Sequence, residues 1–189
     1  MPLPFSEYTS QFFWDFKRMD NVNYNFEILE ALYSAKKQSS NSSHFNKPIV
    51  LTLMSMIECM LYDFLIRIRT HRKDSLPNMA QAVIAHFRSM NDTDELKKLI
   101  WRVKAQDLLC AKAGDTIYED LEYLNQVRNR AHIQNRYNLL ERDEHRVFID
   151  SVVSLSEKCF ERVVGILCNV YPRWDKQPLP MADFPKPWL

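Results

Sequence analysis

Pro48-Ile-Val-Leu-Thr-Leu-Met-Ser-Met-Ile-Glu-Cys-Met-Leu-Tyr-Asp-Phe-Leu-Ile-Arg-Ile-Arg69 is the most hydrophobic segment of the chain, and its reading decides the fold class. Pro48 suits the first turn of a helix, where its missing N–H would have had no partner. The run from Ile49 to Arg69 is about long enough to cross a bilayer, but Glu58 and Asp63 interrupt it, and a single span would strand two acids in lipid. A central core helix is therefore expected. At ~100° per residue, Thr52, Ser55, Glu58, Tyr62 and Asp63 cluster within ~140° of arc, one polar face on an otherwise apolar cylinder. Glu58 is the member expected to be buried, and a buried carboxylate wants a cation; an ordinary solvated stripe is the alternative.

A second stretch offers that cation: Leu121-Glu-Tyr-Leu-Asn-Gln-Val-Arg-Asn-Arg-Ala-His-Ile133. Counted from Ile117 as an amphipathic helix, Leu121, Leu124, Val127 and Ala131 form one stripe, with Arg128 near its middle and His132 at its edge. A guanidinium in that place must be paired, or must face a cleft or a partner, since an unpaired buried charge costs several kcal/mol. Arg128 is expected to pair with Glu58 or to neighbour it across a shared cleft.

Helices are expected almost throughout. Tyr8 to Met19 and Phe26 to Lys37 read as two short amphipathic helices separated by an Asn-rich turn, Asp20 to Asn25. A polar loop, Gln38 to Lys47, precedes the core helix, and a basic turn (Arg67, Arg69, His71, Arg72, Lys73) follows it. Next come a helix from Asn78 to Met90 and one capped by Thr93 that runs to about Leu109. Gly114 and Asp115 provide a stop and a fresh cap, so the Arg128 helix is expected from near Thr116 to near Asn135. In the last long helix Phe148, Val152, Leu155, Cys159, Val163, Ile166 and Val170 advance by three or four, a core-facing stripe that Pro172 ends. The expected organisation is one all-α domain over 1–171 and an extended proline- and aromatic-rich arm over 172–189, whose aromatics need a docking surface on this chain or a partner.

Composition narrows the function. The chain has 189 residues, 46% of them hydrophobic, enough for one well-buried domain and against wholesale disorder. It has only two glycines, Gly114 and Gly165, which argues against hairpin-rich sheets, a P-loop and a dinucleotide fingerprint. A formal net charge of +1 gives no global pull toward nucleic acid, so any such binding rests on local patches. Cys59, Cys110, Cys159 and Cys168 are widely spaced in apolar helical surroundings and read as reduced thiols of a cytosolic protein. The first residues lack the basic-then-apolar run of a signal peptide. No HExxH pair, zinc spacing or glycine-flanked nucleophilic serine is present, so no metal and no cofactor are expected.

Leu124-Asn-Gln-Val-Arg-Asn-Arg-Ala-His132, preceded by a helix-turn over Glu95 to Asp115 and followed by a long final helix, resembles the HEPN family (higher eukaryotes and prokaryotes nucleotide-binding) over residues 48–171. Members are compact helical bundles that usually dimerise, and many are metal-independent ribonucleases of toxin, phage-defence or RNA-processing systems. Their motif is an Arg, commonly followed by a polar residue such as Asn, then a His after four to six intervening residues. Arg128 and Asn129 match the first two positions and His132 the last, with the departure that only three residues separate Arg128 from His132.

The resemblance implies a cytoplasmic homodimeric endoribonuclease or RNA-binding protein, acting on RNA and, in a toxin setting, held by an antitoxin or other partner protein. Arg128, His132 and Asn129 are then the catalytic candidates, with Glu58 in support. Cleaving RNA through its own 2′-hydroxyl needs a base, an acid and positive charge on the phosphorane. Two copies of His132 at a shared cleft would supply both proton carriers, and Arg128 the charge. Arg130, Arg136, Arg142 and Arg69 are expected to guide the RNA backbone. The rival expectation is a non-catalytic interaction module in which Arg128 and Glu58 are a structural ion pair.

Overall fold

The computed structural model describes residues 10–70, 76, 78–131, 143–173 and 186–188. Among them stand seven α-helices and no strand, as the all-α reading requires: α1 (Phe16–Gln38), α2 (Asn46–Thr70), α3 (Gln81–Arg88), α4 (Leu96–Ala105), α5 (Ile117–Asn129), α6 (Glu144–Val147) and α7 (Asp150–Asn169).

The hydrophobic segment quoted above is the axis of the bundle. α2 packs most extensively against α7 and α1 and also touches α3, α4 and α5. Leu53, Met54, Ile57, Met60 and Leu61 are wholly buried. The stretch Ser42–Thr70 is long and apolar enough to cross a membrane, but most of its apolar window is buried against the other helices. Such a helix is a protein core rather than a lipid-facing span.

α1 corrects the expectation of two short helices, because it runs unbroken for 23 residues through Asp20–Asn25. Met19, Val22, Phe26, Leu29 and Tyr33 are buried at steps of three and four. Asp20, Asn21, Asn23 and Asn25 oppose the helix by at most about 0.7 kcal/mol each, whereas burying each large apolar side chain is worth about 1.5–3 kcal/mol. Packing therefore overrides local preference, and Asn25 Nδ2 donates to the Asn21 carbonyl at 2.7 Å on the outer side. The helix begins at Phe16 with Asp15 as its cap, accepting from the Arg18 N–H at 3.0 Å, and a 3₁₀ turn over Ser10–Phe12 precedes it. Tyr8, where a helix was expected to begin, lies outside the described residues.

α3 and α4 exist where periodicity places them but are shorter than expected. Glu95, not Thr93, is the residue before α4, and Thr93 Oγ1 instead accepts from the Glu95 N–H at 3.3 Å. The helix ends at Ala105 rather than Leu109, because Asp107 and Cys110 turn into the left-handed region at φ +44° and +50°. Tyr118 on α5 holds that turn: its hydroxyl donates to Asp107 Oδ1 at 2.9 Å and accepts from the Leu109 N–H at 2.9 Å. Gly114 at φ +82° closes the connection; Thr116, not Asp115, is the residue before α5, and Asp115 Oδ1 receives the Ile117 N–H at 3.1 Å from one position further back.

On α7 the stripe is rotated slightly from the one expected. Val152, Cys159 and Val163 are buried as anticipated, while Val153, Ser156, Phe160, Val164, Leu167 and Cys168 share the core face, and Leu155, Ile166 and Val170 sit at its edge. Of the expected arm, 174–185 and Leu189 lie outside the described residues. Trp188 docks on this chain: its ring meets Phe160 edge-on at 6.0 Å and lies 6.1 Å from Tyr33. Its Nε1 donates to Glu161 Oε1 at 2.9 Å, and Lys186 pairs with the same carboxylate at 3.1 Å.

Candidate functional site

Arg128 reaches from the last turn of α5 to Glu58 in the middle of α2. Nη1 donates to Oε1 at 3.1 Å and Nη2 to Oε2 at 2.5 Å, a two-pronged pair that uses the planar fork of the guanidinium. The first turn of α4 completes the junction, since the Leu96 backbone N–H also steadies the Glu58 carboxylate. The pair is neither sealed nor loose: the Arg128 side chain is 30% exposed and that of Glu58 22%. Burial pushes the Glu58 carboxyl above its ordinary range, Arg128 pulls it back, and nearby Asp94 adds to the rise. Three helices thus bring one cation and one anion to the surface of an otherwise apolar helix.

The polar face of α2 is present, with its depth reversed from expectation. Asp63, not Glu58, is the buried acid, its side chain 1% exposed. Its oxygens accept the Trp14 N–H at 2.7 Å, the Asp15 N–H at 3.1 Å and Arg18 Nη1 at 2.9 Å, so it holds the start of α1. Burial raises this carboxyl as well, against those three donors. Further along the same helix Arg67 is wholly buried and donates to the carbonyls of Phe12 and Tyr171 at 2.8 Å and of Pro172 at 3.3 Å. Reading Arg67 as part of a basic turn was therefore incorrect. Its spacing of three and seven from Phe64 and Met60 extends the buried row of α2, a signal visible in the sequence but masked by the neighbouring Arg69, Arg72 and Lys73.

The remaining expected site residues fall in four groups. Asn129 is exposed at the end of α5, beside Arg128. Arg130 is 5% exposed, so it lies within the fold rather than along a surface path for RNA. Arg69 is partly covered and pairs with Asp92. His132, Arg136 and Arg142 lie outside the described residues. One premise about the motif does need correction: α5 ends at Asn129, not near Asn135, with the Arg130 and Ala131 N–H groups closing tighter bonds onto the Val127 and Arg128 carbonyls at 2.9 Å. Ala131 is the last described position of the apolar stripe that suggested a longer helix.

A pocket of about 380 Å³ opens at the start of α5, lined among others by Thr116, Asp120, Lys158 and Arg162. Arg162 Nη2 already donates to the Cys110 carbonyl and to Asp115 Oδ2, both at 3.1 Å, which ties the α4–α5 connection to α7. Among the described residues no cluster of His, Cys, Asp and Glu could hold a metal ion. The four cysteines form no disulfide, and burial pushes Cys59 up to about 11 and Cys159 up to about 12, which makes both poor nucleophiles near neutrality. No protein-family model, curated protein or solved structure matches this chain.

Proposed function

We propose that this chain is a HEPN-like, RNA-directed protein, a metal-independent endoribonuclease whose site is built from Arg128, Asn129 and His132 at a cleft shared by two copies. The observation that supports the reading is the position of Arg128, whose fork is oriented by Glu58 yet remains partly exposed at the meeting point of α2, α4 and α5. An arginine held in this way is preorganised for a planar oxyanion and needs little rearrangement to meet one. His132 from each copy carries a proton, one removing it from the 2′-hydroxyl and the other delivering it to the departing 5′-oxygen. Asn129 hydrogen-bonds a phosphate oxygen. The setting is cytoplasmic, and a toxin or defence role would bring a neutralising partner protein.

The second reading is a non-catalytic helical interaction module. Both terminal nitrogens of Arg128 already lie on Glu58, which favours a structural pair over an available phosphate ligand. The two are separated by incubating the purified protein with labelled RNA in excess EDTA, beside His132→Ala, and analysing the fragment ends. Fragments ending in 2′,3′-cyclic phosphate that vanish in the variant carry the enzyme reading. A folded, dimeric wild-type protein that leaves several RNAs intact overturns it in favour of the module.

A further inference from the structure

α4, Leu96-Lys-Lys-Leu-Ile-Trp-Arg-Val-Lys-Ala105, holds four basic residues and no acid. Leu96, Leu99, Ile100 and Val103 are buried, so its apolar face is fully used inside the fold. Trp101 stands roughly 150° around the helix from the centre of that stripe, and it is 58% exposed. Its helical neighbours at i−4, i−3 and i+3 are Lys97, Lys98 and Lys104. An indole left mostly in water adds little to folding. A large aromatic surface ringed by cations is instead suited to an anionic partner that presents a flat ring.

The surrounding charges leave that ring of cations usable. Lys98 pairs with Glu95 at 2.5 Å, and Lys104 with Glu119 and Glu122 at 3.1 and 3.0 Å, all between exposed side chains whose mutual attraction is weak and easily exchanged. Lys97 makes no ion pair among the described residues. On the far flank Arg102 and Arg69 approach closely enough for Arg69 to lower the pKa of Arg102, to which burial contributes more. They meet the Asn91 carbonyl and Asp92 respectively.

The position also continues the Arg128 junction. Leu96 at the start of α4 meets Glu58, while Lys104 near its end reaches Glu119 and Glu122 in the first half of α5, so the two helices run antiparallel. Trp101 therefore lies about 7–8 Å along the α4 axis from the Glu58–Arg128 pair, at 1.5 Å per residue. Exposed Tyr123 is carried on the neighbouring helix.

We infer that Trp101 with Lys97 and Lys98 is a platform for single-stranded nucleic acid, on which one base stacks against the indole while the flanking phosphates meet the lysines. The inference rests on the RNA-directed reading of the Arg128 site and adds to it a binding surface outside the reacting centre. A duplex hides the ring faces that stacking needs, so the ligand is single-stranded. A bilayer would need a broad apolar face, and the one on α4 is buried.

The test is fluorescence anisotropy with a short labelled 2′-O-methyl oligouridine, whose blocked 2′-hydroxyls prevent cleavage, at two salt concentrations. Trp101→Ala is expected to bind about tenfold or more weakly, and Trp101→Phe within about threefold of wild type, since stacking tolerates a smaller ring. The double variant Lys97→Gln, Lys98→Gln is expected to flatten the log–log salt dependence by about 1.4, the value for two phosphate contacts on a single strand. Circular dichroism confirms that each variant is folded. If wild type binds and Trp101→Ala binds equally well, the platform is refuted and the reading of the Arg128 site stands. If wild type binds no oligonucleotide, both fail. Loss of self-association or of binding to phosphatidylserine vesicles in Trp101→Ala, with oligonucleotide binding intact, also overturns the platform.

Discussion

Replacing Arg67 by methionine removes a side chain that ties both the segment before α1 and the end of α7 to the core helix. Its guanidinium serves the carbonyls of Phe12, Tyr171 and Pro172, and it has no contact with solvent. Methionine fills much of the same volume, so the cost arises from the acceptors left behind rather than from a cavity. Two buried carbonyls that lose their donors cost about 1–3 kcal/mol each. Part is returned because a buried cation no longer has to be desolvated. The net expectation is a loss of about 2–4 kcal/mol, which for a chain of this size lowers Tm by roughly 5–15 °C. Urea denaturation followed by far-UV circular dichroism gives the free energy. Limited proteolysis adds a local readout, with faster cutting near Phe12 and Tyr171 expected at urea concentrations where the core remains folded. A variant within about 0.5 kcal/mol of wild type, with unchanged cutting, would refute the view that Arg67 clasps the segments flanking α1 and α7; surface substitutions commonly fall in that range.

Other outcomes follow from the same geometry. Arg128→Ala should raise the Glu58 pKa further, because both effects of Arg128 on that carboxyl lower it; a ¹³C NMR titration of the side-chain carboxyl showing no change or a fall would contradict the pair. In wild type the Glu58 pKa lies above its ordinary value, so its linked contribution to stability is fully present below about pH 4.3 and is lost as pH rises through the folded pKa. Asp63→Asn keeps the shape but weakens the bonds to the Trp14 and Asp15 N–H groups and leaves Arg18 without its closest acid; thermal denaturation should show a loss of about 2–3 kcal/mol. Trp188→Ala removes a half-buried ring and its bond to Glu161, for a loss of about 1–2 kcal/mol by the same method, and an unchanged Tm would mean that the arm is not anchored there.

The parts of the fold that were legible in the sequence are those governed by burial along a helix. α2 and α7 announce themselves through long apolar runs or stripes, and the Glu58–Arg128 pair follows from asking what a carboxylate and a guanidinium on apolar faces must do. The join in α1 was hidden because its asparagines signal a turn locally, while the reason for the helix, Val22 and Phe26 packing in the core, is tertiary. Asp63 and Arg67 were misjudged for a related reason. Most of their partners are backbone groups, at Trp14, Asp15, Phe12 and Tyr171, and backbone groups leave no mark in a sequence pattern. Trp101 could have been found: its lysine neighbours and the apolar stripe opposite are both readable at helical spacing. The end of α5 could not, since Asn129 to Asn135 is compatible with either a continued helix or a turn.

Whether Arg128 acts on RNA or merely braces α5 against α2 is decided most directly by Arg128→Lys, which keeps the charge opposite Glu58 but loses the two-pronged fork. RNA cleavage in EDTA under single-turnover conditions and Tm would be measured on the same samples. The expected result is cleavage by wild type that drops at least about a hundredfold in the variant, comparable to removing one oxyanion donor, while Tm moves by only a few degrees. Cleavage by Arg128→Lys at the wild-type rate, or no cleavage by a folded wild-type dimer, would contradict a catalytic Arg128.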